Sequence, residues 1–188
     1  AALPVAALKD HLRLGTGFAD ADLQDGLIEG YLRAAIAAVE GRIGKVLIAR
    51  RFLMTLEGWR GDGTQALPLA PVTALVEVAL VDAAGRRVVL PADCIRLVSD
   101  SQRPRLVARS GVLPGVPPGG RVEILFDAGF GAAWGAVPAD LAQAVIWLAT
   151  EFYETRHDAG EHRGGLPPGV QALIERWRTV RVLGGGAA

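Results

Sequence analysis

The sequence predicts an α+β protein: an α-helical bundle built from two N-terminal and two C-terminal helices, with a small antiparallel β-domain inserted between the halves. Apolar residues recur at helical spacing towards both ends, as in Leu23, Leu27, Tyr31 and Ala35, and again in Leu141, Val145, Leu148 and Phe152. Between Arg50 and Gly131 the period drops to two, and clusters of Gly and Pro punctuate the chain at short intervals. The expected division is residues 1–49 and 132–183 for the bundle, 50–131 for the β-domain and 184–188 for a flexible glycine-rich tail.

Each element has a local reason. Pro4 to Leu14 reads as a short helix, with Val5, Leu8 and Leu12 on one face, Lys9 and Arg13 on the other, and Gly15 and Gly17 ending it. Asp20 or Asp22 can cap a second helix that runs to Gly41 or Gly44. Gly26 and Gly30 lie inside it, each costing about 1 kcal/mol relative to Ala, so a close helix–helix approach is expected there. In the middle region Phe52, Met54 and Leu56 alternate with Arg51, Leu53, Thr55 and Glu57. Further strands are expected at Ala66 to Leu69, Leu75 to Val81, Arg86 to Leu90, Ile95 to Ser99, Leu106 to Arg109 and Val122 to Phe126. Asp82-Ala83-Ala84-Gly85 reads as a hairpin turn, and Pro114 to Gly120 as loop, so the strands should close into a small sandwich or barrel.

Helices return after Ala128-Gly129-Phe130-Gly131. Pro138 suits the first position of a third helix reaching Arg156, and Asp140 places a carboxylate in its positive first turn. Besides its main stripe this helix carries Ile146, Trp147 and Tyr153, a second apolar face that predicts contact with the inserted β-region or with a neighbouring subunit. A polar loop from His157 to Gly165 leads to a last helix from Pro168 to Arg181, with Val170, Leu173, Ile174, Trp177 and Val180 on one face.

Composition removes several function classes. The 188 residues carry 20 Lys+Arg against 20 Asp+Glu, with a pI near 7.1, so no global field favours non-specific nucleic-acid binding. The chain is 51% hydrophobic with mean hydropathy +0.29, enough for a core and, at zero net charge, prone to self-association. Cys94 is the single cysteine, which rules out a disulfide framework and fits a reducing compartment. The opening AALPVAALKDHLRL lacks the pattern of a signal peptide, and no apolar run reaches the roughly 18 residues of a membrane span.

The search for catalysis finds no anchor. His157 and His162 are five residues apart in a glycine-containing loop, whereas a zinc site on a helix wants four. Gly15-Thr16-Gly17 and Gly61-Asp62-Gly63 lack the third glycine and the strand-to-helix setting of a dinucleotide fingerprint. Cys94 has no histidine nearby in sequence and reads as a small buried hydrophobe. Neither a cofactor nor a metal is expected. Arg163, Arg176, Arg178 and Arg181 gather near the C-terminus beside Trp177, a composition common at interface anchors as well as at helix ends.

The order of motifs resembles the head–tail connector (adaptor) proteins of long-tailed bacteriophages and phage-like gene transfer agents. It is carried by VAALKDHLRL, AAVEGRIGKVL, FLMTLEGW, LPLAPV, VEVALVDAAGRRVVL, VEILFDAGFG, VPADLAQAVIWLATEFYETR and LPPGVQALIERWR, in this order over nearly the whole chain. The resemblance implies a structural protein, assembled in the bacterial cytoplasm, that forms a ring of about twelve copies under the portal. Such a ring extends the DNA channel, passes DNA without sequence-specific binding, touches no membrane, and presents a surface to the next neck component, the stopper. Tyr31, Ile146, Trp147 and Tyr153 are then expected at the subunit interface. Trp177, Arg178, Arg181, Val182 and Leu183 are expected to dock on the portal, and the loops with Trp59, Arg60, Pro117 and Pro118 to face the tail. Two other readings stay open: another neck ring, such as a stopper or tail terminator, and a β-domain small-molecule-binding protein or enzyme with the Trp59 and Pro114 loops as a pocket rim.

Overall fold

The computed structural model describes residues 2–12, 21–157 and 165–178. Along them run α1 (Val5–His11), α2 (Ala21–Ile43), β1 (Arg50–Leu56), β2 (Thr64–Ala66), β3 (Val72–Val81), β4 (Arg87–Val89), β5 (Ile95–Val98), β6 (Arg105–Ala108), β7 (Arg121–Ala128), α3 (Ala139–Glu154) and α4 (Pro168–Ile174). The chain divides into two compact units, Lys45–Val137 and, discontinuously, Ala2–Gly44 with Pro138–Ala188. The fold class is α+β, as the periodicities predict.

The β unit holds two antiparallel sheets, one ordered β1-β7-β3-β4 and the other β2-β6-β5. Alternation decides which side chains point inward. In the larger sheet Phe52, Phe126 and Leu75 share one row and Met54, Ile124 and Val78 the next. They meet Ile95, Leu106 and Ala108 of the smaller sheet in one apolar cluster, the arrangement of a small sandwich. The Phe52 and Phe126 rings stack with centroids 5.7 Å apart.

Segment 45–49 enters along one end of this unit. Lys45 bridges to Ala70, Ile48 bridges to Gly131, and the Ala49 N–H donates to the Gly131 carbonyl at 2.8 Å. This crossing explains the glycines that follow β7. Gly129 has φ +136°, and a β-carbon there would lie 2.5 Å from the Ala49 nitrogen. Gly63 likewise admits the neighbouring loop, since its β-carbon would lie 2.5 Å from the Gly111 carbonyl oxygen.

In the helical unit α2 and α3 pack together, α4 packs on α3, and α1 touches both α2 and α3. Leu8, Ile28, Leu32, Ala35, Val39, Leu141, Val145, Leu148, Val170 and Ile174 are buried. On α3 Leu141, Val145 and Leu148 are the stripe that the 3.6-residue period marks out, whereas on α2 the buried stripe is Ile28, Leu32, Ala35 and Val39, and Leu27 of the expected stripe is 48% exposed.

Four expectations need correction. The second strand is Thr64–Ala66 rather than Ala66 to Leu69; Pro68 lacks the N–H a ladder needs, so the chain turns there. Pro138 caps α3 from outside, with φ −51° and ψ 138°, instead of occupying its first turn. The last helix ends at Ile174, passes through a 3₁₀ turn at Glu175–Trp177, and is extended by Arg178. Gly26 and Gly30 are exposed, and among the described residues a β-carbon at either would meet nothing within 4 Å. The His162 and Gly164 positions of the polar loop, and the tail 184–188, lie outside the described residues, as does the side chain of His157.

Candidate functional site

The sequence-derived surface residues fall into three groups. In the helical unit Tyr31 and Tyr153 meet edge-to-face, centroids 5.9 Å apart at 84°, and the Arg156 guanidinium lies 4.0 Å over the Tyr153 ring. Both tyrosines are half-buried and tie α2 to α3. Ile146 is half-buried too, whereas Trp147 remains 41% exposed. One flank of the Trp147 ring lies against α4, where a β-carbon on Gly169 would come within 3.0 Å of it. The second apolar face of α3 is thus partly used by α4, and its indole surface is what remains uncovered.

The second group is the start of α3 and the end of α4. The Trp177 indole N–H donates to an Asp140 carboxylate oxygen at 2.6 Å, and the Arg176 Nε approaches the same oxygen at 2.8 Å. Partial burial disfavours ionised Asp140, but the hydrogen bonds from Trp177 and Arg176 outweigh it and hold the carboxyl below its ordinary range. One carboxylate therefore both complements the helix dipole and pins the 3₁₀ turn that follows α4. Arg178 forms an ion pair with Glu175 at 3.0 Å. Arg181, Val182 and Leu183 lie outside the described residues.

The third group gathers at one end of the β unit. Leu56 pairs with Val122 and Val81 with Arg121, so the loops after β1, after β3 and before β7 all emerge opposite the end where the chain enters and leaves. The Trp59 indole N–H donates to the Pro114 carbonyl at 2.7 Å, and the Leu113 N–H to the Asp62 carbonyl at 2.7 Å. The Arg60 N–H donates to the buried Gln65 side chain at 3.0 Å, leaving the Arg60 guanidinium exposed. The Pro117 carbonyl accepts from Gly120 at 2.8 Å, and Pro118 is exposed. The Trp59, Leu113 and Gly120 N–H groups are thus bonded within and between these loops.

Sequence reasoning missed Lys45. It is 1% exposed, and its ammonium donates to the Ser101 carbonyl at 2.6 Å and to the Gln102 side-chain oxygen at 2.7 Å. Burial pushes its pKa below the ordinary lysine value, with nearby Asp100 opposing. Those partners are 56 and 57 residues away in sequence, so no local signal announces them.

Charge differs between the outer faces of the two sheets. On the larger sheet Arg51 is held by Asp127 through two bonds of 2.9 and 3.1 Å, Arg87 bridges Glu77 and Glu123, and Arg121 pairs with Glu123. The Arg51 hydrogen bond lowers the Asp127 pKa, and the Arg87 hydrogen bond that of Glu123. Among these pairs stand Leu53 (59% exposed) and Val89 (49%). On the smaller sheet Arg96 and Arg105 point outward without ion pairs among the described residues.

Among the described residues, no group of three or more His, Cys, Asp or Glu side chains is placed to hold a metal, and no helix is long and apolar enough to cross a membrane. What the described residues present is a set of paired loops and exposed side chains, Trp147, Leu53 and Val89 among them.

No family model and no curated protein matches the chain. Solved structures do. A chain in the neck of an empty gene transfer agent particle, computed with C6 symmetry, is 58% identical, with TM-score 0.88, covering 98% of this chain and 93% of that one. A chain in the virion of a native gene transfer agent particle is 57% identical, with TM-score 0.85 over the same shares. A third, in the neck of a native particle computed with C12 symmetry, is 53% identical, with TM-score 0.83, covering 98% and 92%. The chain belongs to the head–tail connector family of phages and phage-like gene transfer agents, and is a structural neck subunit of such a particle.

Proposed function

We propose that this chain is the adaptor of its particle: about twelve copies form a ring beneath the portal, extend the DNA channel and hand over to the stopper. The observation that carries this is the near-full-length likeness to a chain from a neck computed with C12 symmetry. The subunits assemble in the bacterial cytoplasm, and the role is structural rather than catalytic.

The uncovered indole of Trp147 with Ile146 forms a subunit contact in this reading, with the Tyr31–Tyr153 pair as its rigid backing. The loops of Trp59, Arg60, Pro117 and Pro118 meet the next neck component, because they emerge together at the end of the β unit opposite its entering and leaving strand ends. The segment from Trp177 through Arg178, Arg181 and Val182 to Leu183 docks on the portal, with the Trp177–Asp140 bond holding its first residue.

Sedimentation of the protein alone and with portal tests the ring: a ring-sized species, or a stable complex with portal, is expected. A strict monomer that never joins a portal refutes it. Truncation after Arg178 keeps the Asp140 anchor and should abolish portal binding without unfolding the protein. Undiminished binding would remove the docking role of Arg181, Val182 and Leu183.

A further inference from the structure

We propose that the outer face of the β2-β6-β5 sheet is a phosphate-backbone contact surface, fitted to double-stranded DNA. Register places its side chains. Leu106 and Ala108 point into the core, so Arg105 and Val107 point out, and Arg96 stands beside Val107 on β5. The Arg109 N–H continues the ladder by donating to the Cys94 carbonyl at 2.9 Å, which puts the Arg109 side chain on the same outer face. Arg96, Arg105 and Arg109 are all exposed. Strand geometry sets Arg105 and Arg109 about 13 Å apart, with Arg96 between them, about 8 Å from each.

None of the three arginines forms an ion pair among the described residues. The adjoining carboxylate, Asp100, accepts the N–H groups of Gln102 and Arg103 at 2.7 and 2.8 Å and reaches Arg105 only through space. Asp93 is exposed in the turn before β5. The side chains between the arginines are small: Thr64, Ala66, Val98 and Val107.

The two outer faces therefore suit different partners. The larger sheet offers exposed leucine and valine within charges that already neutralise one another, as protein interfaces do. The smaller one offers three guanidinium groups without ion pairs among the described residues, set around small side chains, and guanidinium is the group that binds phosphate through paired hydrogen bonds. With three contacts per chain the grip is weak and indifferent to sequence, and repetition around a ring would multiply it. The choice of DNA among polyanions rests on the adaptor reading; the charge of the face does not.

The test titrates a labelled 24-base-pair duplex with the full-length protein, between about 50 and 200 mM salt. Three phosphate contacts give a log–log slope near −2.7, about a 40-fold loss of affinity over that range. R96Q/R105Q/R109Q should abolish this binding, and R96K/R105K/R109K should keep it. R51Q/R87Q/R121Q, which removes equal charge from the other sheet, should leave it in place. The proposal is overturned if the wild type shows no salt-dependent binding, if the first variant binds like wild type, or if poly-L-glutamate binds as tightly as the duplex, which would assign the face to an acidic protein. Duplex binding by a chain that never forms rings would sink the adaptor reading and leave this face standing; rings that ignore the duplex would do the reverse.

Discussion

Replacing Lys45 by Met keeps most of the aliphatic stem and removes two hydrogen bonds from a side chain that is 1% exposed. Bonds to charged groups contribute about 1.5–3 kcal/mol each. Against the gross loss of about 3–6 kcal/mol stands the relief of no longer burying an ammonium, a penalty large enough to lower the Lys45 pKa despite Asp100. A net destabilisation of about 2 kcal/mol follows, or about 4–8 °C in Tm for a chain of this size. The pH dependence has a definite sign. Because the folded pKa lies below the unfolded one, the unfolded state binds more protons between the two values, so stability rises with pH across that interval and levels off above the ordinary lysine value of 10.5. Urea unfolding from pH 7 to 11 should show this rise in the wild type and its absence in K45M. A variant within about 0.5 kcal/mol of wild type at pH 7, with the same alkaline rise, would refute the assignment.

Other perturbations act through single named contacts. D140N should weaken the Trp177 and Arg176 contacts, shift Trp177 emission and cost about 1–2 kcal/mol. Since the folded Asp140 pKa is depressed, the wild type should lose this contribution as pH falls through that pKa, below 3.8, while the variant shows no such loss. G129A forces a side chain against Ala49 at φ +136° and should cost more than about 3 kcal/mol or abolish soluble expression, read by circular dichroism and yield. G26A and G30A meet open space in a helix and should each stabilise the isolated chain by about 0.5–1 kcal/mol in thermal melts.

The strands were legible for two reasons: in β1 and β7 inward Phe52, Met54, Ile124 and Phe126 alternate with residues of the outer face such as Arg51, Thr55, Glu123 and Asp127, and β3 is a β-branched apolar run bounded by turn residues. β2 was misplaced because its inward residue is Gln65, a buried amide that accepts from Arg60 and donates to Ala66; a pattern read from apolar residues passes over it. The helices were found by periodicity, as β1 and β7 were. What their faces touch was not, since the Tyr31–Tyr153 contact and the Lys45 pocket join residues far apart in sequence. The sequence alone presents Trp177 as an outward anchor and Asp140 as a partner for the helix dipole. Only three-dimensional proximity makes them partners of each other. The arginines of the smaller sheet escaped notice because a neutral total charge conceals an uneven distribution.

The pairing of Arg50 with Ala128 bears on the order in which the molecule can fold. α2 and α3 pack on each other although roughly ninety residues separate them, and closing a loop of that length costs entropy that grows with the logarithm of its size. Once β1 and β7 have zipped together, the flexible path between the helices shrinks to the flanking segments 45–49 and 129–137, about fourteen residues. The closure cost falls by about 1.5 kcal/mol. The inserted unit thus acts as a clasp for the bundle, and substitutions that weaken the β1–β7 ladder should slow the docking of α3 on α2 even though they touch neither helix.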